Sequence, residues 1–271
     1  MTPKPRLDDG AGVVRALLAL RPVVEATLLG SGGGRLTLGL ATATEPALRP
    51  AGPAEDRLCA GQLPSRARTF LSGRVALRRA LARAGHPGAA AEIPYEADGV
   101  RPRLPRGSVG SLSHSGGVAV SLAAPAAHCA GLGVDLERHP LPHAAARVVL
   151  SGEEQLFLTG EFGDFGGSGE LGGSGELGGS GADAACERRL RELFSAKESA
   201  YKALYGLLPP PQRPTTLLGI AVRPVPGGFS VRARRAPEQV LHVHARWADG
   251  AVLTWTAAGV TAADRLPGRT G

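Results

Sequence analysis

Apolar and polar positions repeat with two different periods along this chain, and the changes of period mark its elements. The stretch with the most chemistry is residues 131–137, Gly-Leu-Gly-Val-Asp-Leu-Glu, a short apolar run interrupted by two acids. As a strand it turns Val134 and Leu136 into a core and sets Asp135 and Glu137 together on the other face. Two like charges that close are costly without a cation between them, and hard divalent ions take carboxylate oxygen readily. Taken alone, the same pattern also fits an edge strand with a wet acidic face.

Around this stretch the pattern predicts a helix over 13–20 stopped by Pro22, then strands over 23–29 and 36–42 about the Ser31-Gly32-Gly33-Gly34 turn. A long helical pattern over 55–84 is divided by Pro64, and its second part is densely basic. A weak hairpin is centred on Asp98-Gly99, and strands over 109–112 and 118–123 flank a Ser113-His114-Ser115-Gly116-Gly117 turn. Ser151-Gly152-Glu153-Glu154 reads as a helix start with Ser as N-cap. Residues 166–181 hold a tandem Glu-Leu-Gly-Gly-Ser-Gly repeat, too poor in apolar groups to order itself, and read as a flexible tether. Helix resumes near Asp183 and runs to Tyr205, and four strands close the chain over 217–222, 229–233, 240–247 and 252–257. His242 and His244 have metal-like spacing on the third of these, but no acid or cysteine lies beside them, which leaves them as exposed strand residues.

Composition sets the bounds. A chain of 271 residues with 43% hydrophobic and 20% charged residues can bury a substantial core, as one large domain or two small ones. A net charge of +7 favours acidic partners. Cys59, Cys129 and Cys186 are scattered without metal-ligand spacing, which fits a reducing cytosol rather than a disulfide framework. No secretory apolar core and no run of about 18 apolar residues occurs, so a cytoplasmic protein without membrane contact is expected.

In Phe194-Ser195-Ala196-Lys197-Glu198-Ser199-Ala200-Tyr201-Lys202 of the last long helix, Glu198 and Lys202 share a face, with Lys197 turned about 100° from Glu198. Alone this is an ordinary Glu-to-Lys helix pair. Beside the Asp135/Glu137 strand it adds a third metal-binding carboxylate and cations suited to phosphate oxygen.

Together, Gly133 to Glu137 and Phe194 to Lys202 resemble the two signatures of the 4′-phosphopantetheinyl transferase superfamily. The basic helix from Arg66 to Arg74, the Gly99-Val100-Arg101-Pro102 element and the Ser113-His114 pair are similar to upstream elements of its larger, Sfp/EntD-type members. The resemblance implies an α+β fold, a pseudo-twofold monomer of two similar α/β halves (1–124 and 126–271) with the active site between them. It implies transfer of 4′-phosphopantetheine from coenzyme A to a serine of an apo acyl or peptidyl carrier protein, releasing 3′,5′-ADP. Asp135, Glu137 and Glu198 would hold Mg²⁺. Glu198 would also serve as general base, and Lys197 and Lys202 would contact phosphate. Arg66, Arg74, Arg101, Ser113 and His114 would hold the coenzyme A nucleotide. Thr69 stands where many relatives have an acid. A non-catalytic relative is disfavoured by the presence of all three acids and both lysines, and a nucleic-acid-binding role leaves the paired acids unexplained.

Overall fold

Pro22 does not end the first helical region. Helix α1 (Ala11–Ala19) is followed at once by α2 (Arg21–Glu25), in whose first turn Pro22 sits; a missing N–H costs nothing there, and the fixed φ is already helical. The strand expected over 23–29 therefore shrinks to β1 (Leu28–Leu29), paired antiparallel with β2 (Gly34–Arg35). The computed structural model describes residues 10–29, 34–159 and 179–260. Positions 31–33 of the expected turn lie outside these residues, as does the expected tether up to position 178.

The protein is α+β, and its described residues divide into two compact units. The first contains the described chain through Cys129, with Ala248–Gly250 and Val260; the second contains Ala130–Trp247 and Ala251–Gly259.

In the first unit, β3 (Thr37–Thr42) leads through a loop to α3 (Pro53–Cys59) and the long α4 (Pro64–Arg83). Each of these helices has a proline in its first turn, so Pro64 divides the pattern as its sequence predicts. Strands β4 (Ser108–Ser115) and β5 (Val118–Pro125) then pair as a hairpin, giving an antiparallel sheet of order β3-β5-β4. The hairpin turn is only Gly116-Gly117, both with positive φ (54° and 79°), the geometry a two-residue turn demands. Ser113 and His114 consequently lie on β4 rather than in the turn. Leu77, Ala80 and Leu81 of α4 pack with Ile93 and Ala123 to form the core beneath.

The second unit starts with β6 (Cys129–Glu137), continues through α5 (Ala144–Val149) and α6 (Gly152–Thr159), and centres on α7 (Gly179–Leu207). Strands β7 (Ile220–Val225), β8 (Gly228–Ala233), β9 (Ala236–Ala248) and β10 (Ala251–Gly259) complete a five-stranded sheet of order β6-β10-β9-β8-β7. Residues 217–219, read as strand, form a 3₁₀ turn before β7. Leu190, Leu193, Ala196, Ala200, Ala203 and Leu204 of α7, spaced three and four apart, meet Val222, Val231, Leu241 and Val243 of the sheet. At the start of α6 the Ser151 hydroxyl makes no cap. Glu154 instead reaches back to accept the Ser151 N–H at 2.8 Å, one arm of a capping box.

The two units share a local contact pattern. In each, a strand glycine lies against helix backbone, Gly39 under Ala76 and Ala80 of α4, Gly133 under Ser199 and Ala203 of α7. In each, a helix cation donates to the carbonyl of the next strand residue: Arg79 Nη1 to Leu40 O at 2.7 Å and Lys202 Nζ to Val134 O at 2.9 Å. Each also buries a glutamate that binds a helix cation and a backbone N–H, Glu55 with Arg78 and Ile93, Glu154 with Lys197 and Val222.

Candidate active site

Small residues bring the acidic strand and the helix together. Because Gly133 has no side chain, β6 runs directly under α7, and two residues later, on the same face of the strand, Asp135 points toward the helix. Asp135 is 3% exposed. Its Oδ1 accepts from Lys202 Nζ at 2.8 Å and its Oδ2 from the Ser195 hydroxyl at 2.8 Å. Lys202 also donates to Val134 O, and its side chain keeps 26% exposure, so the ammonium is anchored on one side and accessible on the other.

Glu137 and Glu198 complete an acidic field. Burial pushes the Glu137 carboxyl up to about 7; the Asp135 and Glu198 charges add to the rise, while Lys202 and Arg191 oppose it. Burial likewise raises Glu198, against the pull of Lys202 and with the repulsion of Asp135. Carboxylates that repel in this way are relieved by a proton or by a cation. Among the described residues no group of three His, Cys, Asp or Glu side chains is arranged so that it could hold a metal ion. An all-oxygen donor set within one electrostatic field nevertheless suits a hard divalent ion, which commonly keeps several of its waters.

Lys197 corrects the sequence reading. Its Nζ is wholly buried, donating to Glu154 Oε2 at 2.6 Å, Val149 O at 2.8 Å and Leu217 O at 3.2 Å. Burial lowers its proton affinity, and Glu154 restores part of it. This ammonium ties α7 to α6 and has no donor left for a phosphate. Arg74 is similarly internal at 3% exposure: Nε donates to Ile93 O at 2.6 Å, and the guanidinium lies over the Phe70 and Tyr95 rings at 4.4 and 4.7 Å.

The other expected nucleotide residues lie in the first unit. Arg66 is exposed on the first turn of α4. Arg101 pairs with Asp98 at 2.6 Å across the Asp98-Gly99 bend, where Gly99 has φ 70°. Ser113 and His114 fall on opposite faces of β4. Leu112 and His114 share the face toward α4, where Leu112 meets Gly73, while Ser113 is buried on the other. They therefore do not act as one Ser-His pair. His242 and His244 stack edge-on at 4.6 Å, with His244 over Trp255 at 5.0 Å, consistent with strand residues rather than ligands.

Sequence reasoning missed the hydroxyls beneath Asp135. Ser195 and Ser199 of α7 and Thr254 of β10 are fully buried and bonded to one another. Their signal was available in part: Ser195 and Ser199 are four apart on the helix face that carries Ala196, Ala200 and Ala203, so both had to find buried partners. Nothing in the spacing pointed to Thr254.

The profile of the family described as the 4′-phosphopantetheinyl transferase N-terminal domain matches residues 54–124. Over 223 residues the chain is 32% identical to 4′-phosphopantetheinyl transferase Svp of Streptomyces mobaraensis, a match covering 78% of each protein. The chain belongs to the 4′-phosphopantetheinyl transferase superfamily. In this phosphopantetheinyl transferase the segment matched by the N-terminal profile spans α3, α4, β4 and nearly all of β5. The acidic strand and helix follow it.

Proposed function

We propose that this phosphopantetheinyl transferase moves 4′-phosphopantetheine from coenzyme A to a serine hydroxyl of an apo carrier protein. The serine oxygen bonds to the phosphorus that bears pantetheine, the bond from that phosphorus to its bridging oxygen breaks, and 3′,5′-ADP leaves. The observation that carries the reading is the pairing of Asp135 with Lys202 beside Glu137 and Glu198, three acids and one accessible ammonium at a strand–helix crossing.

Glu198 is the base. Its raised proton affinity brings it nearer neutral pH, where a carboxylate accepts a hydroxyl proton most effectively. Lys202, held by Asp135 and Val134, presents its remaining N–H to the phosphate oxygens and offsets the charge that develops on them. Asp135, Glu137 and Glu198 would hold a Mg²⁺ ion, which supplies Lewis-acid neutralisation of the diphosphate. Arg66, Arg101 and His114 remain the proposed nucleotide contacts, guanidinium forks being suited to phosphate. Lys197, whose three N–H groups are all used, is not among them, while Arg74 keeps a buried Nη2 without a hydrogen-bond partner among the described residues. The positive net charge of +7 favours acidic carriers. Among the described residues no helix is long and apolar enough to cross a membrane.

The test is incubation with coenzyme A, Mg²⁺ and a panel of apo carriers, weighed by mass spectrometry. A phosphopantetheine adduct on a carrier is expected with the wild type and none with Glu198→Gln. Full turnover by Glu198→Gln would remove Glu198 from the base role.

A further inference from the structure

Three hydroxyls run in line from the core to the acidic strand, crossing from α7 to β10 and back. Ser199 Oγ lies 2.5 Å from Thr254 Oγ1, Thr254 Oγ1 lies 2.9 Å from Ser195 Oγ, and Ser195 Oγ lies 2.8 Å from Asp135 Oδ2. We propose that Thr254 is a positioning residue for Asp135, holding through Ser195 the carboxylate rotation that presents it to a divalent cation. The inference rests on the reading of Asp135 as a metal ligand.

Counting protons fixes the end of the line at Asp135. An ionised carboxylate only accepts, so the single proton of Ser195 goes to Oδ2. The Thr254 hydroxyl donates to the Ser195 carbonyl at 2.8 Å and stands 2.9 Å from Ser195 Oγ, so it braces Ser195 at both its backbone and its side chain. Ser199 in turn gives its proton to Thr254 Oγ1, with Thr254 O at 3.1 Å as the weaker alternative.

Burial decides what the line does. Ser195, Ser199 and Thr254 are each 0% exposed, so water cannot replace a lost member and no proton can leave by this route. The line is an orienting device rather than a proton exit. Lys202 grips the opposite oxygen, Oδ1, so the carboxylate is held from both sides and cannot rotate about its Cβ–Cγ bond. Hydrogen-bond partners of metal ligands commonly contribute tenfold to a hundredfold in metal affinity.

The experiment is titration of the protein with Mn²⁺ in the presence of coenzyme A, with free Mn²⁺ read by electron paramagnetic resonance. Thr254→Val keeps the shape but loses the hydroxyl and is expected to bind Mn²⁺ roughly tenfold or more weakly; Thr254→Ser is expected to restore wild-type affinity. Wild-type affinity in Thr254→Val would overturn the inference while leaving the metal reading intact. An absence of Mn²⁺ binding by the wild type would overturn both. If Thr254→Val does not fold, Ser195→Ala carries the same test with the same overturning result. A merely structural role would lower the melting temperature without moving the Mn²⁺ affinity.

Discussion

A Cβ on Gly133 would overlap the carbonyl oxygen of Ser199, with the Ser199 carbonyl carbon at 2.7 Å and the Ala203 nitrogen at 3.2 Å. The obstacles are backbone atoms of a packed helix and cannot swing aside. Gly133→Ala is expected to cost about 3 kcal/mol or more, at the upper end of what overpacking does. Gly206→Ala, near the end of the same helix with nothing within 4 Å, is expected to stabilise by about 0.5–1 kcal/mol. Urea denaturation of the two variants checks both, and equal stabilities would contradict the close crossing.

The Lys197–Glu154 pair predicts a stability effect rather than a binding effect. Lys197→Met leaves a buried carboxylate without its main partner and is expected to cost about 3–5 kcal/mol. Adding Glu154→Gln should recover much of that loss, since the amide oxygen can still accept the Val222 N–H now bonded to Glu154 at 2.9 Å. Thermal melts of the single and double variants measure it. A Lys197→Met protein that melts like the wild type but has a raised KM for coenzyme A would return Lys197 to the phosphate.

Lys202→Met is expected to lower kcat by roughly 10²–10³-fold, the usual effect of deleting one electrostatic stabiliser. Circular dichroism should be unchanged, because the side chain is partly exposed. Carrier modification followed by mass spectrometry gives the rate, and an unaltered kcat would mean that the ammonium only neutralises Asp135.

Acid stability is expected to depend on His244. Burial lowers this imidazole to about 4, with His242 and Arg246 adding repulsion, against 6.5 for an unperturbed histidine. Between those values the unfolded chain binds a proton that the folded protein refuses. The contribution is therefore complete above pH 6.5 and is lost as the pH falls toward 4. His244→Gln should give a shallower decline of melting temperature over this window, and a slope equal to the wild type would contradict the assignment.

What could be read from the sequence was whatever depends on local period. The α4 division at Pro64, the β6 strand and the shared face of Glu198 and Lys202 follow from spacings of two, three and four. What could not be read depends on partners far along the chain. Lys197 looks like any helix lysine until Glu154, 43 residues earlier, is found at 2.6 Å. Arg74 looks like its exposed neighbours until Phe70 and Tyr95 close over it. Thr254 is an ordinary strand threonine until Ser195, 59 residues away, is found at 2.9 Å. Five polar or glycine residues, Ser113 to Gly117, suggest a long turn, whereas two glycines with positive φ make the whole of it.

The matched glycine crossings allow the second unit to be read against the first. With Gly39 set on Gly133, and Ala76 on Ser199, the positions of Asp135, Glu137 and Glu198 are taken by Ala41, Ala43 and Val75. The first unit thus serves as an internal blank. Damage that appears on mutating both members of a matched pair reports on shared architecture, and damage confined to the charged member isolates reactivity.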